Sequence, residues 1–117
     1  AATWTLPRLV GPAVAAELLY TSRLFSGEEA ARIGLANRAL PAGEVLAAGE
    51  ELAGEIAACA PLAVRGVKRA LARTQDASIE DQLTFEASEQ AICFESRDAL
   101  EGIQAARERR SPNFEGN

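Results

Sequence analysis

The chain has 117 residues, 12 basic and 17 acidic, a net charge of −5 and no histidine. That length fits one domain; the missing histidine excludes imidazole catalysis, imidazole zinc sites and an imidazole pH switch. The acidic balance argues against a dedicated nucleic-acid binder, whose footprint is basic.

The apolar fraction is 48%, but 25 residues are alanine, which favours helix and adds little buried area. The core must rest on Leu, Val, Ile and four Phe. It is thin, and part of its apolar surface is expected to need a partner. Cys59 and Cys93 lie far apart with no Cys-x-x-Cys spacing. That reads as two buried free thiols in a reducing compartment, here the cytoplasm. No run approaches the ~18 apolar residues of a membrane span, and no signal-peptide pattern appears.

The opening AATWTLPRLV reads as the continuation of a longer chain. Trp4 and Leu6 suit a helix arriving from upstream, and Pro7 predicts a break at Leu6. Gly11-Pro12 restarts the chain, with Pro12 in a first helical turn. Val14, Leu18 and Leu19 mark one helix face, and Thr21 to Phe25 interrupts it. Ser26-Gly-Glu-Glu29 is a capping box: Ser26 accepts from the amide of residue 29, and Glu29 reaches back to Ser26. Gly34 stops this short helix in the left-handed conformation. Leu35 to Leu40 is extended and Pro41 closes it.

Glu44 to Ala60 is a longer helix, with Val45, Ala48, Leu52, Ile56 and Cys59 as a stripe facing a core. The next, Leu62 to about Arg73, is expected to bury Val64, Val67 and Leu71. The tight link at Ala60-Pro61 predicts an antiparallel pair of these two helices, the acidic first facing the basic second. Ser78 with Asp81 starts another helix, running from Ile79 to about Glu95. It carries two apolar stripes, Ile79-Leu83-Ala87-Ala91-Phe94 and Phe85-Ile92. One is read as facing this domain's core and the other a partner. Asp98-x-x-Glu101 is expected to cap a last helix, with Leu100, Ile103 and Ala106 as its narrow stripe. Phe114 is the one aromatic of the tail. The period is helical almost throughout, so the fold class is all-α with about six helices.

Few residues invite chemistry. General acid–base work needs two carboxylates at controlled spacing. Glu28-Glu29 and Glu50-Glu51 point in different directions on their helices; Glu51 and Glu55 share a face with no apolar pocket around them. Surface or capping roles describe all of them better. The basic stripe Arg65, Lys68, Arg69 and Arg73 either meets phosphates or an acidic partner, or pairs with the acidic helix before it. Arg107, Arg109 and Arg110 suit a last helical turn, and an arginine there also suits a phosphate-bearing ligand. No phosphate loop, nucleophile elbow or nucleophile–base pair is present. Ser26 and Ser96 read as caps. No catalytic residue and no metal site is assigned.

The order TW-LPRLVG, AAELLYTSRLFSGEEAARIGLANRALP, APLAVRGVKRAL and FESRDALEGIQAARERRSPNF resembles the crotonase family of enoyl-CoA hydratases and isomerases. Leu18 to Leu40 is similar to the family's ELL-TGR-x-SAxEA-x-x-GLVN-x-V-P, and Asp98 to Arg110 to its D-x-x-EGI-x-AF-x-EKR. The match covers essentially the whole chain but only the C-terminal part of a typical member, somewhat less than half. The TW-x-LPRLVG form leans toward a ring-opening isomerase-like branch associated with phenylacetate breakdown.

The resemblance implies the helical region that follows the family's spiral of ββα units. Residues 1–41 would be hinge helices leading from that core, and 42–117 helices that assemble trimers or hexamers and cover the CoA. It implies an acyl-CoA thioester as substrate, no cofactor, and a parent reaction through a thioester enolate held at an oxyanion hole. The family's catalytic acids precede the position of Thr3, so none maps here. Thr3, Trp4 and Leu6 would correspond to the helix bordering the acyl pocket. Ala1-Ala2 replace the family's usual Gly-Gly. Arg109 would stand at the lysine of EKR, which in some members meets the CoA adenine or phosphate. Ala106 replaces the aromatic of AF, which removes an adenine-packing contact. Two further expectations stand beside this one: a stand-alone helical self-association module without ligand or catalysis, and a proteolytic remnant of a longer protein.

Overall fold

The structure is a computed structural model that describes all 117 residues, and every regular element in it is helical. Seven α-helices occur where about six were expected: α1 (Ala2–Val10), α2 (Pro12–Thr21), α3 (Gly27–Arg32), α4 (Val45–Ala57), α5 (Pro61–Arg73), α6 (Ile79–Phe94) and α7 (Arg97–Glu108). A short 3-10 turn, Ala42–Glu44, leads into α4. The chain forms two compact units, Ala1–Ala48 and Gly49–Asn117.

In the first unit α1 packs on α2, and Ala15 and Leu18 are buried. The break expected at Leu6 does not occur, because α1 runs through Pro7. Proline there removes only the amide that would meet the carbonyl of Thr3, and Thr3 is exposed, so water can take its place. The break falls instead at Gly11, whose φ of 80° and ψ of 159° suit glycine alone. Pro12 then opens α2 as expected.

The capping box at α3 forms by half. Ser26 Oγ accepts from the Glu29 amide at 3.2 Å. The Glu29 carboxylate does not return to Ser26. It takes the Arg23 guanidinium at 2.6 and 3.0 Å, because a forked charge-assisted pair outcompetes one neutral amide. Arg23 also holds Glu17 at 3.2 Å, which ties α2 to α3. Gly34 ends the element at φ 79°, as expected.

The second unit is built differently from the expectation. No residue of α4 is buried, so its stripe finds no core within this chain. The partner of α5 is α6 rather than α4. The two meet at Gly66, the buried residue of α5. A Cβ there would lie 2.9 Å from Glu89 Oε2 and 3.5 Å from Glu89 Cβ. The inward face of α6 is polar: Gln82 is buried and donates to the Ala70 carbonyl at 3.2 Å, and Glu89 pairs with Arg69. The large apolar residues expected inside point out, Val67 and Leu71 on α5 and Leu83 and Phe94 on α6.

In α7 the cap is Ser96, whose Oγ accepts from the Ala99 amide at 3.2 Å. Asp98 is no cap; it lies in the first turn, only 4% exposed. Leu100 and Ile103 are exposed, and the buried apolar residue is Ala105. The thiols also depart from expectation: Cys59 is exposed and Cys93 half-buried. Ser78 caps α6 as expected, accepting from the Asp81 amide at 3.1 Å.

Two outcomes follow from this packing. Gly66→Val forces Glu89 aside and overpacks the α5–α6 contact. We expect a loss of about 1–3 kcal/mol, read as a lower urea midpoint, whereas Gly54→Val on exposed α4, where an added Cβ meets nothing, should leave the α5–α6 contact intact. The second concerns acid. Arg110 and the Asn113 amide hold the Glu101 carboxyl down at about 2 from its ordinary 4.5. An acid depressed in the folded state adds stability above its unfolded pKa and loses it as pH falls through the folded one. Between pH 4.5 and 2 the wild type should therefore lose more thermal stability than Glu101→Gln, measured by melting at stepped pH.

Candidate functional site

Trp4 and Leu6 lie on α1. Two residues apart on a helix is about 200° of turn, so they face opposite sides of it. Leu6 is half-buried and Trp4 is open. The Arg8 guanidinium sits 4.0 Å over the Trp4 ring and donates to the Trp4 carbonyl at 2.8 Å. This clamps the indole through a cation–π contact and keeps a flat apolar surface presented to solvent.

Arg109 closes α7 in the left-handed conformation, at φ 56°. Its neighbour Arg110 is fully engaged, with Glu101 at 2.5 and 2.9 Å and with Glu108 at 2.6 Å. Arg107 and Arg109 hold no carboxylate, which leaves two unpaired guanidinium groups at the end of α7. On α5, Arg69 is bound to Glu89 and Arg73 lies 4.5 Å over the Phe85 ring. The expected pairing of this stripe with α4 is replaced by pairing with α6. Arg65 and Lys68 hold no carboxylate.

The carboxylates that shift do so downward. The Ser26 hydroxyl and the Glu28 amide lower the Glu28 carboxyl, and Arg23 lowers that of Glu29. Depressed values hold both as anions near neutrality, which suits capping and ion pairing rather than proton donation. No group of three His, Cys, Asp or Glu side chains gathers in a way that could hold a metal ion.

Two clefts open in the second unit. One, of about 740 Å³, runs between α5 and α6, with Val67, Leu71, Leu83 and Phe94 among its walls. Gln82 Oε1 is buried beside it without a hydrogen-bond donor. The other, of about 430 Å³, lies among α5, α6 and α7, with Leu62, Phe94, Ile103 and Phe114 in its lining. Sequence reasoning missed Gln82 and Gly66, and it read Asp98 as a helix cap rather than as a buried acceptor. Gln82 and Glu89 are seven apart and so share a helix face, but a polar pair gives no reason to place that face inward.

The family model for enoyl-CoA hydratase/isomerase matches residues 1–117. The chain is 39% identical over 112 residues to a crotonyl-CoA hydratase of Syntrophomonas wolfei, covering 96% of this chain and 43% of that protein. It is 39% identical to a carnitinyl-CoA dehydratase of Proteus mirabilis, covering 95% and 44%. Among solved structures, it is similar to an enoyl-CoA hydratase from Bacillus anthracis with a TM-score of 0.94 and 34% identity, covering 99% of this chain and 45% of that one. A probable enoyl-CoA hydratase/isomerase from Mycobacterium abscessus gives 0.91 and 44%, covering 99% and 46%. The chain thus spans under half the length of the relatives it matches. With the family pattern running through every helix described above, the chain belongs to the enoyl-CoA hydratase/isomerase family.

Proposed function

We propose that this chain is the assembly and acyl-CoA-covering part of an enoyl-CoA hydratase/isomerase. The observation that carries the reading is the outward apolar surface of the second unit. Ten large apolar side chains there are exposed, from Leu52 and Ile56 on α4 to Leu100 and Ile103 on α7, and none of comparable size is buried. Each such side chain yields roughly 1.5–3 kcal/mol when fully covered, so a protein surface that covers them is strongly favoured. In this reading copies of the chain associate as trimers or hexamers, in a reducing compartment such as the cytoplasm. No helix is long and apolar enough to cross a membrane.

Trp4 and Leu6 would border the acyl chain. Arg109, with its guanidinium free of carboxylates, would meet a CoA phosphate through a charge-assisted fork. The parent reaction adds water to, or shifts, a double bond next to a thioester. It does so by stabilising the enolate oxygen with preorganised donors. This chain supplies no acid or base for that step, and no cofactor is called for.

The purified chain should release no hydrated product from crotonyl-CoA; measurable turnover would overturn this assignment of roles. Light scattering should report a trimer or a multiple of it. Calorimetry with CoA should detect binding that Arg109→Ala weakens roughly tenfold, the loss of one hydrogen bond to a charged group. A second reading, a self-association module with no ligand, rests on the same exposed apolar faces. A trimer that gives no heat with millimolar CoA would favour it.

A further inference from the structure

Of the nine residues after α7, the last seven, Ser111–Asn117, carry no helix or turn of their own, yet they are fastened at four backbone positions. The left-handed turn at Arg109 sends the chain back along α7. The Asn113 amide donates to Glu101 Oε1 at 2.8 Å. The Glu115 and Gly116 amides donate to the two oxygens of Asp98, both at 2.8 Å. The Arg97 amide donates to the Asn117 carbonyl at 2.8 Å. Between these points the Phe114 ring lies 3.6 Å from where a Gly102 side chain would begin, and it forms one wall of the cleft among α5, α6 and α7. Gly116, at φ 78°, lies so near Pro61 that an added Cβ would meet the proline ring at 3.2 and 3.3 Å.

We propose that Ser111–Asn117 is a releasable strap, latched by Asp98 and Glu101 on α7, whose departure removes the Phe114 wall and opens the apolar cleft beneath it. The chemistry of the latch makes it a two-position device. Two amides on one carboxylate form a charge-assisted pair, stronger than neutral hydrogen bonds. When the strap lifts, Asp98 and its donors all reach water together, so neither position leaves a charge or an amide buried without a partner. The strap has no ladder of internal bonds to break, and it carries one large apolar anchor, Phe114. Segments of this kind open locally, well below the free energy of global unfolding. Asp98 takes both amides of the far end and Glu101 only one, so Asp98 is the positioning residue of the latch.

Hydrogen exchange of the 117-residue chain tests this. In the wild type the amides of Asn113, Glu115 and Gly116 should exchange together, more slowly than in an unstructured peptide and faster than those of α5 and α6. Asp98→Asn turns one acceptor into a donor that faces a donor. It should speed Glu115 and Gly116 exchange roughly tenfold or more and raise binding of an apolar dye, while α1 and α2 keep their protection. Gly116→Ala attacks the strap from the Pro61 side without touching α7, and should produce the same pair of changes with α5–α7 still protected. The proposal is overturned if the wild-type tail amides exchange at the unstructured rate. It is equally overturned if Gly116→Ala leaves tail exchange unchanged, or frees the tail without raising dye binding.

Discussion

The second unit depends on one close approach, the meeting of α5 and α6 at Gly66. A residue without a side chain lets the two helices come near enough for Arg69 and Glu89 to pair and for Gln82 to reach the Ala70 carbonyl. That contact is small and polar, so it leaves Val67, Leu71, Leu83 and Phe94 on the solvent-open walls of the cleft beside it rather than in a closed core. The hydrophobic surface of the unit is the consequence of its tightest contact. Helices that meet through glycine and a salt bridge have their bulky residues free for something else.

The same logic accounts for what the sequence disclosed. Capping is local chemistry, decided within four residues, and Ser26, Ser78, Ser96 and Gly34 could all be read directly. Helical periodicity was legible as well. What periodicity cannot give is the side from which a stripe is covered. The stripes on α4, α5 and α7 were real, but no other element of the folded chain covers them. Pro7 failed as a stop because a residue bias of this kind is modest and an exposed carbonyl has water available. Asp98 was misread because its partners lie 17 and 18 residues downstream, beyond any local pattern.

Of the residues assigned to ligand binding by resemblance, the structure gives each a physical character. Trp4 is held flat by Arg8, Leu6 turns to the other side of α1, and Arg109 sits at a helix end with its charge uncompensated. None of these features could be read from composition. Arg8 four residues after Trp4 was visible in the sequence, and that spacing is the one at which helix side chains meet. The cation–π contact was thus within reach of sequence reasoning, although the same spacing also fits an arginine pointing into water.

The tail is recognised by its main chain. Asp98, Glu101 and the Arg97 amide bind peptide groups, which every residue except proline can supply in full. Only Phe114 and Gly116 contribute through what they are as side chains. Such a segment is free to drift in composition while being intolerant of a change in length. Losing or gaining one residue between Arg110 and Glu115 would turn the donor pair away from Asp98 and carry the aromatic ring off its glycine. Among descendants of this chain, substitutions should therefore accumulate in the tail far more readily than insertions or deletions.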